Sequence, residues 1–352
     1  MMDPIALPEL AQPLLAWYNI HKRALPWREN PTPYRVWISE VMLQQTRVEA
    51  VRPYYARFLK ALPDVRALAE VPDDGLMKLW EGLGYYRRAR NLKKAAQLVV
   101  ERYAGVFPQS YQELLTLPGI GDYTAGAIAS IAGGERVPAV DGNVLRVLTR
   151  MTACEADISS ASVKSAFRTS LLEVLPAEAP ADFNQALMEL GALICLPNAE
   201  PLCADCPVNS MCEAYQNGSP RAYPVKAART PRRIEKRTVI VVRAFQQSLL
   251  FRRPDAGLLA NMWEPLCVDG WIDEEQARSF LEERGVRVKT LSPLPSAKHI
   301  FSHVEWHMQG FLAEAEETPP IAGGVWITSQ RIQEEHAIPG AYRAYRDALL
   351  GG

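Results

Sequence analysis

The sequence predicts two unlike folds in one chain, an all-α region followed by a smaller α+β region. From about residue 8 to 216, apolar residues recur at helical spacing in segments separated by short polar or Pro/Gly breaks. From about 217, QNGSPRAYPVKAARTPRRIEKRT is rich in Pro and Arg and aperiodic, which reads as a linker over 217–236. Beyond it come β-branched runs with helix candidates set among them. The expected domains are therefore 1–216, helical, and 237–352, α+β.

The helical region opens on a pattern running from Val36 to Leu62. RARNLKKAAQLVVERY, TAGAIASIAG, NVLRVLTRM, ASVKSAFRTSLLEVL and ADFNQALMELGALIC keep the same period, while strand-like alternation is scarce. In the second region TVIVVRAF, SLLFRR, VRVKTL, KHIFSHVEWHMQGFLAE and GVWITS read as strands. DEEQARSFLEERG and GAYRAYRDALL read as helices.

Composition sets limits on function. Apolar residues at 48% and aromatics at 9% suit a globular protein of 352 residues. No apolar run approaches the roughly 20 residues of a spanning helix. The start shows no basic segment leading into an apolar one, so no signal peptide and no membrane partner are expected. The expected location is the cytoplasm, with the nucleoid if the source is bacterial. A net charge of −1 and a pI near 6.6 argue weakly against nucleic acid. The charge is uneven, however: YYRRARNLKK and RAYPVKAARTPRRIEKR are basic, whereas 268–286 and 313–318 are acid-rich. Local basic segments therefore permit a nucleic-acid partner.

Four of the six cysteines cluster as C-x7-C-x2-C-x5-C: Cys195, Cys203, Cys206 and Cys212. In a chain without an export signal, clustered thiols point to a metal rather than to disulfides. Structural zinc usually takes two paired knuckles, and only one C-x2-C is present. A cubane iron–sulfur cluster suits the pattern at least as well. Cys154 and Cys267 stand alone and read as small buried hydrophobes.

LPGIGDYTAGA, residues 117–127, follows an apolar helix rather than a strand and lacks the G-K-[ST] of a P-loop. Its glycines open onto a helix whose first backbone N–H groups are free to hold a phosphate. A plain helical corner is the alternative. VPAVDGNVLRVL then places Asp141 just before a helix, as an N-cap near the positive end of the dipole, where it is expected to stay ionised. Glu40 lies among Trp37, Ile38, Val41 and Met42, and burial there would raise its pKa. Gln44 shares its face, four residues on. One carboxyl pushed towards neutrality and another held ionised is the arrangement used for acid-assisted glycosidic cleavage.

Together, the glycine turn, the following aspartate and the four-cysteine loop resemble the helix–hairpin–helix DNA glycosylase superfamily. LPWR, SEVMLQQT, GLGYYRRARNL, DGNV, FNQALMELGA and the β-rich C-terminal region are similar to its adenine-removing family, from about residue 13 to the end. The resemblance implies a helix–hairpin–helix domain, a Nudix-like second domain and one 4Fe-4S cluster on the four cysteines. It implies a monomer acting on double-stranded DNA with 8-oxoguanine:adenine or guanine:adenine mismatches. Glu40 would protonate adenine at N7, and Asp141 would stabilise the sugar cation or bond to it transiently. Tyr123 and Asn143 would orient both carboxylates and the water. Trp27, Arg28 and Gln185 would line the pocket for the flipped base. Gln45 and Tyr85 would fill or wedge the stack, with Gln44, Thr46, Leu83 and Arg88 also at the DNA. Leu117, Gly119 and Gly121 would form the phosphate-holding turn, and Phe301, Ser302 and His303 the loop that reads 8-oxoguanine.

Tyr123 stands where related enzymes of the endonuclease III kind carry a lysine that attacks the sugar. A phenol forms no Schiff base, so base removal without efficient strand nicking is expected. Leu145 occupies the place of a further lysine of some family members. The competing readings are a pyrimidine-lesion glycosylase with lyase activity and a non-catalytic lesion-binding protein. A Nudix hydrolase is weakened because GLLANMWEPLCVDGWIDEEQARSFLEERG lacks the R-E-x-x-E-E carboxylates that hold Mg²⁺. Read by alternation alone, HIFSHVEWHM is one strand with His299, His303 and His307 on a single face.

Overall fold

The computed structural model describes residues 3, 5–227 and 230–351; Ala228 and Arg229, within the stretch read as a linker, and residues 1, 2, 4 and 352 lie outside it. Among the described residues, twelve helices precede the cysteine loop. They are α1 (Ala11–His21), α2 (Pro26–Glu29), α3 (Pro33–Leu43), α4 (Val48–Ala61), α5 (Val65–Glu70) and α6 (Asp73–Trp80), then α7 (Arg87–Tyr103), α8 (Tyr111–Leu114), α9 (Asp122–Ile131), α10 (Gly142–Met151), α11 (Ala161–Val174) and α12 (Pro180–Leu193). A short helix α13 (Glu213–Gln216) closes the loop. The single pattern from Val36 to Leu62 is in fact two helices, α3 and α4, broken at residues 44–47, where Gln45 takes φ +58°. A left-handed residue cannot continue a right-handed helix.

The strands are β1 (Arg233–Ala244), β2 (Gln247–Arg252), β3 (Trp263–Glu264), β4 (Leu266–Asp269), β5 (Val288–Ile300), β6 (Val304–Ala315) and β7 (Gly324–Thr328). Helices α14 (Glu274–Glu282), α15 (Ser329–Glu334) and α16 (Arg346–Leu350) complete the chain. β1 begins at Arg233, inside the aperiodic stretch, because residues 233–243 pair in parallel with 304–314 of β6. No helix among the described residues is long and apolar enough to cross a membrane.

The chain packs as two compact units, Met1–Glu70 with Arg90–Ala228, and Val71–Ala89 with Arg229–Gly352. In the first unit, α10 and α12 share a core with α1 and α11. Leu14 and Tyr18, Val144 and Leu148, Phe167 and Leu171, and Phe183 and Leu187 interlock there. Each large side chain buried in this way contributes about 1.5–3 kcal/mol. This core fixes α10 against α12, the two helices that carry the residues around Asp141 and the cysteine loop.

The second unit is a sheet ordered β3-β2-β1-β6-β5, with β4 added to β1 and β7 to β2. Central strand β1 is buried on both faces, so its run is continuously apolar rather than alternating. Val239 and Val241 point to the core formed with Trp306, Ile332, Tyr342 and Leu349. Ile240 and Val242 point to the opposite core, beneath Ala277 and Leu281 of α14. Gly310 is required on β6, since a Cβ there would lie 2.4 Å from the Tyr345 ring. HIFSHVEWHM is not one strand. It folds back at 301–303, pairing His299 with Trp306 and Lys298 with His307, so the three histidines do not share a strand face. Alternation persists across a tight turn, and periodicity alone does not reveal the reversal.

Candidate active site

Thr32 starts α3 by accepting from the Arg35 N–H, with Pro33 at the first helical position. Val36, Trp37, Ile38, Val41 and Met42 are buried and carry Glu40 inward with them, leaving it 6% exposed. α3 packs on α9, and Tyr123, in the first turn of α9, donates its phenolic hydrogen to Glu40 Oε2. Burial pushes the Glu40 carboxyl up to about 7. The Tyr123 hydrogen bond pulls it back, the Asp141 charge adds to the rise, and Arg28 opposes it. Glu40 is thus an acid poised near neutrality, within the field of a second carboxyl.

That second group, Asp141, is the N-cap of α10. Its Oδ1 accepts from the Val144 N–H at 2.7 Å and its Oδ2 from Asn143 Nδ2 at 2.8 Å. The dipole argument expects this carboxyl to stay ionised, which a lowered pKa would favour. Burial instead raises it, with the Val144 and Asn143 donors working the other way. Desolvation of the carboxyl outweighs the helix terminus, although the residue as a whole is half-buried. The two N–H donors nevertheless favour the charged form of Asp141, whereas Glu40 is paired with a phenol.

The shell around these carboxyls includes residues the sequence reading did not single out. Asn184 accepts from the Ala139 N–H and donates to the Val137 carbonyl, each at 2.9 Å, which fixes the link leading to Asp141. Arg146 Nη2 reaches Asn143 Oδ1 at 3.0 Å and the Gly191 carbonyl at 2.8 Å. Arg28 Nε donates to Gln185 Oε1 at 3.1 Å, so these two predicted pocket residues meet. Trp27, beside Arg28 on α2, is buried with its ring edge-on to Tyr55. Behind Arg28 is Glu189, 1% exposed by side chain, paired with Arg28 Nη2 at 2.9 Å and with Arg23 Nε at 2.8 Å. Burial alone would raise its pKa, but the hydrogen bonds from Arg23 and Arg28 bring it down to about 2. The available signal was spacing: Glu189 lies four residues after Gln185 on α12.

The hairpin between α8 and α9 turns at Gly119, where φ is +79° and a Cβ would lie 2.7 Å from Asn91 Cβ. Leu117 is buried at 3% exposure, so this turn offers its backbone rather than that side chain to a ligand. Gly121 caps α9, and next to it Asp122 is held by the Tyr111 hydroxyl and Arg168. Gln44 Nε2 lies 3.5 Å from Thr124 Oγ1, and Gln45 and Thr46 occupy the break after α3.

All four clustered cysteines line one cavity with Arg150 and Asn209. Two short 3-10 turns, Cys203–Asp205 and Asn209–Met211, bring the thiols round, and Arg150 Nη1 lies 3.1 Å from Cys195 Sγ. Burial pushes the Cys203, Cys206 and Cys212 thiols up, Cys206 to about 12. Such a set becomes thiolate only with a compensating cation, so the donors fit a thiophilic metal centre. Among the described residues no three His, Cys, Asp or Glu side chains gather closely enough for a single ion.

The remaining predicted residues belong to the second unit. Leu83 is 6% exposed, its side chain packed inward, while Tyr85 is 49% exposed with φ +47°. Arg88 braces their turn, donating to the Leu83 and Gly84 carbonyls at 3.1 and 3.2 Å. Phe301, Ser302 and His303 form the β5–β6 turn, where Phe301 packs on Trp306 with ring centroids 4.8 Å apart. Ser302 Oγ lies 3.5 Å from Tyr85 Oη.

Comparisons with known proteins place the chain in a family. Residues 38–171 match the HhH-GPD superfamily of base excision DNA repair proteins, and 238–348 match the NUDIX domain. The chain is 36% identical to the adenine DNA glycosylase of Mus musculus, covering 96% of this chain and 78% of that protein. It is 35% identical to the adenine DNA glycosylase of Buchnera aphidicola subsp. Baizongia pistaciae, over 83% and 82% of the two chains. A solved structure of a trapped endonuclease III–DNA covalent intermediate superposes with TM-score 0.52 at 25% identity, covering 60% of this chain and 99% of that one. The chain belongs to the adenine DNA glycosylase family.

Proposed function

We propose that the protein hydrolyses the N-glycosidic bond of adenine opposite 8-oxoguanine or guanine in duplex DNA, and leaves the strand intact. The observation that carries this reading is Glu40, buried, bonded to a phenol and poised near pH 7 beside the N–H-bonded carboxyl of Asp141. Adenine leaves poorly as an anion. Glu40 delivers its proton to N7 as the bond to deoxyribose lengthens, and Asp141 offsets the positive charge that develops on the sugar, electrostatically or through a transient bond. Asn143 holds Asp141, Tyr123 holds Glu40, and water completes the hydrolysis. Trp27, Arg28 and Gln185 receive the extruded base, whose unstacking costs a few kcal/mol.

The positive φ at Gln45 and Tyr85 supports their placement in the base stack, since strain in non-glycine residues gathers at functional positions. The hairpin turn takes a phosphate through its N–H groups. Phe301, Ser302 and His303 read the lesion. The four cysteines, which line one cavity, hold a 4Fe-4S cluster; their spacing, with one C-x2-C and two single cysteines, supports a cluster over the paired knuckles usual for zinc. When bound, the cluster supplies iron–thiolate bonds that tie residues 195–212 into one loop.

An excision assay on duplexes with adenine opposite 8-oxoguanine, guanine or thymine, with and without alkali, tests this reading. Adenine release that exposes a break only after alkali is expected, strongest opposite 8-oxoguanine. Nicking of a thymine-glycol duplex without alkali would show the lyase reading to be correct instead. Because the reaction needs Glu40 protonated, the single-turnover rate is expected to fall about tenfold per pH unit above about 7. A rate that rises through pH 8 would exclude this acid. Tyr123→Lys is expected to yield a DNA adduct trappable by borohydride, which the parent does not; without such an adduct, position 123 is not the lyase switch.

A further inference from the structure

Helix α6 packs within the second unit although some 150 residues separate it from β1. One ion pair concentrates the attachment: Lys78 Nζ lies 2.7 Å from Glu81 Oε2, and both side chains are largely buried. Lys78 also donates to the carbonyls of Ile332 and His336, at 3.1 and 3.3 Å. These lie at the C-terminal end of α15, where a cation complements the unpaired carbonyls and the helix dipole. The other oxygen of Glu81, Oε1, accepts from the Ile338 N–H at 3.1 Å and lies 3.3 Å from Arg346 Nη1. Two residues of α6 and its end thus hold four groups from 332 to 346. The chain then runs straight into the turn 82–85, which is stiffened in its own right. Gly82 and Gly84 take positive φ, and Trp80 Nε1 donates to the Gly84 carbonyl at 3.1 Å. Displacement at Glu81 therefore transmits to Tyr85 with little slack.

We propose that Lys78 and Glu81 are positioning residues for lesion discrimination. They fasten α6 to the C-terminal elements of the same unit, and so fix Tyr85 against the Ser302 turn. This rests on the reading of Tyr85 and Ser302 as residues that meet the base opposite adenine. The carboxyls, the adenine-pocket residues and the cysteine loop are built from the first unit, whereas Lys78 and Glu81 belong to the second. Their effect falls on the ratio of excision from 8-oxoguanine:adenine over guanine:adenine duplexes, not on bond cleavage itself.

The test compares single-turnover rates and duplex affinities on both substrates for the parent, Glu81→Gln, Glu81→Ala and Lys78→Met, each repeated with Ser302→Ala. Glu81→Gln keeps an acceptor for the Ile338 N–H and Lys78→Met keeps the apolar stem, so these two carry the test should Glu81→Ala fail to fold. The discrimination ratio is expected to fall about tenfold, a typical coupling within one network, while the guanine:adenine rate changes less than about twofold. In the Ser302→Ala background the same substitutions are expected to change the ratio no further, which a purely structural weakening would not reproduce. A ratio unchanged in folded variants, losses equal on both substrates, or effects that add to Ser302→Ala would overturn the proposal. A parent with no preference between the two duplexes would instead remove the lesion-reading assignment on which it stands.

Discussion

Glu40→Gln is expected to abolish adenine excision while leaving mismatch binding within about twofold of the parent, a loss of roughly a hundred- to ten-thousandfold in single-turnover rate. Glutamine keeps the size of the side chain and an oxygen to accept the Tyr123 hydroxyl, so the packing of α3 on α9 survives. It has no proton to give. Stability provides a second, independent check. Burial raises the carboxyl from 4.5 to about 7, so the parent is least penalised below 4.5, where Glu40 is protonated in both states. As pH rises from 4.5 to about 7, ionisation of the unfolded chain removes roughly 3 kcal/mol. The glutamine variant has no such loss, so its melting temperature is expected to exceed the parent's at pH 8 and to match it near pH 4.5. Near-normal excision would sink the acid assignment, and equal melting at both pH values would sink the burial argument.

Glu189→Ala is expected to cost about 3 kcal/mol of stability at neutral pH, read from denaturant unfolding. The alanine leaves two partly buried guanidiniums, Arg23 and Arg28, facing each other without their shared anion. It also frees Arg28 from the orientation that presents Nε to Gln185. Affinity for adenine-containing duplex should then drop more than affinity for a duplex with an abasic site. The sign with pH is opposite to that of Glu40. The Arg23 and Arg28 contacts hold the Glu189 pKa at about 2, so its stabilisation is present above 4.5 and fades as pH falls towards 2. The gap between parent and variant should therefore narrow in acid. A gap that persists undiminished at pH 3 would show that the loss is one of packing rather than of charge.

Much of the fold was legible because helix and strand periods are local. α10, α11 and α12 fall where their apolar residues recur every three or four positions, and β1 where they run unbroken. What escaped was reversal and distance. The break at 44–47 and the turn at 301–303 interrupt patterns that continue in phase on either side, so periodicity passed over both. Burial of Glu40 was legible from its apolar neighbours. The rise at Asp141 was not, because it depends on what covers the cap rather than on the helix it begins. Glu189 offered only its spacing from Gln185, and the partners of Lys78 lie some 250 residues away, beyond any local pattern.

The interleaving of the two units bears on how the molecule can be divided. The sequence suggests a cut somewhere in the 217–236 linker, for example at 227, that would yield two free-standing pieces, a helical fragment and an appended one. The chain instead lends residues 71–89 to the later unit and then takes itself back. A fragment ending at 227 would retain Lys78 and Glu81 but lose Ile332, His336, Ile338 and Arg346, leaving two largely buried charges with only each other. A fragment beginning at 230 would carry the Ser302 turn without Tyr85. Each piece would lose contacts that the compact units hold, so exchanging the C-terminal third between relatives is expected to work better with the 71–89 segment carried along.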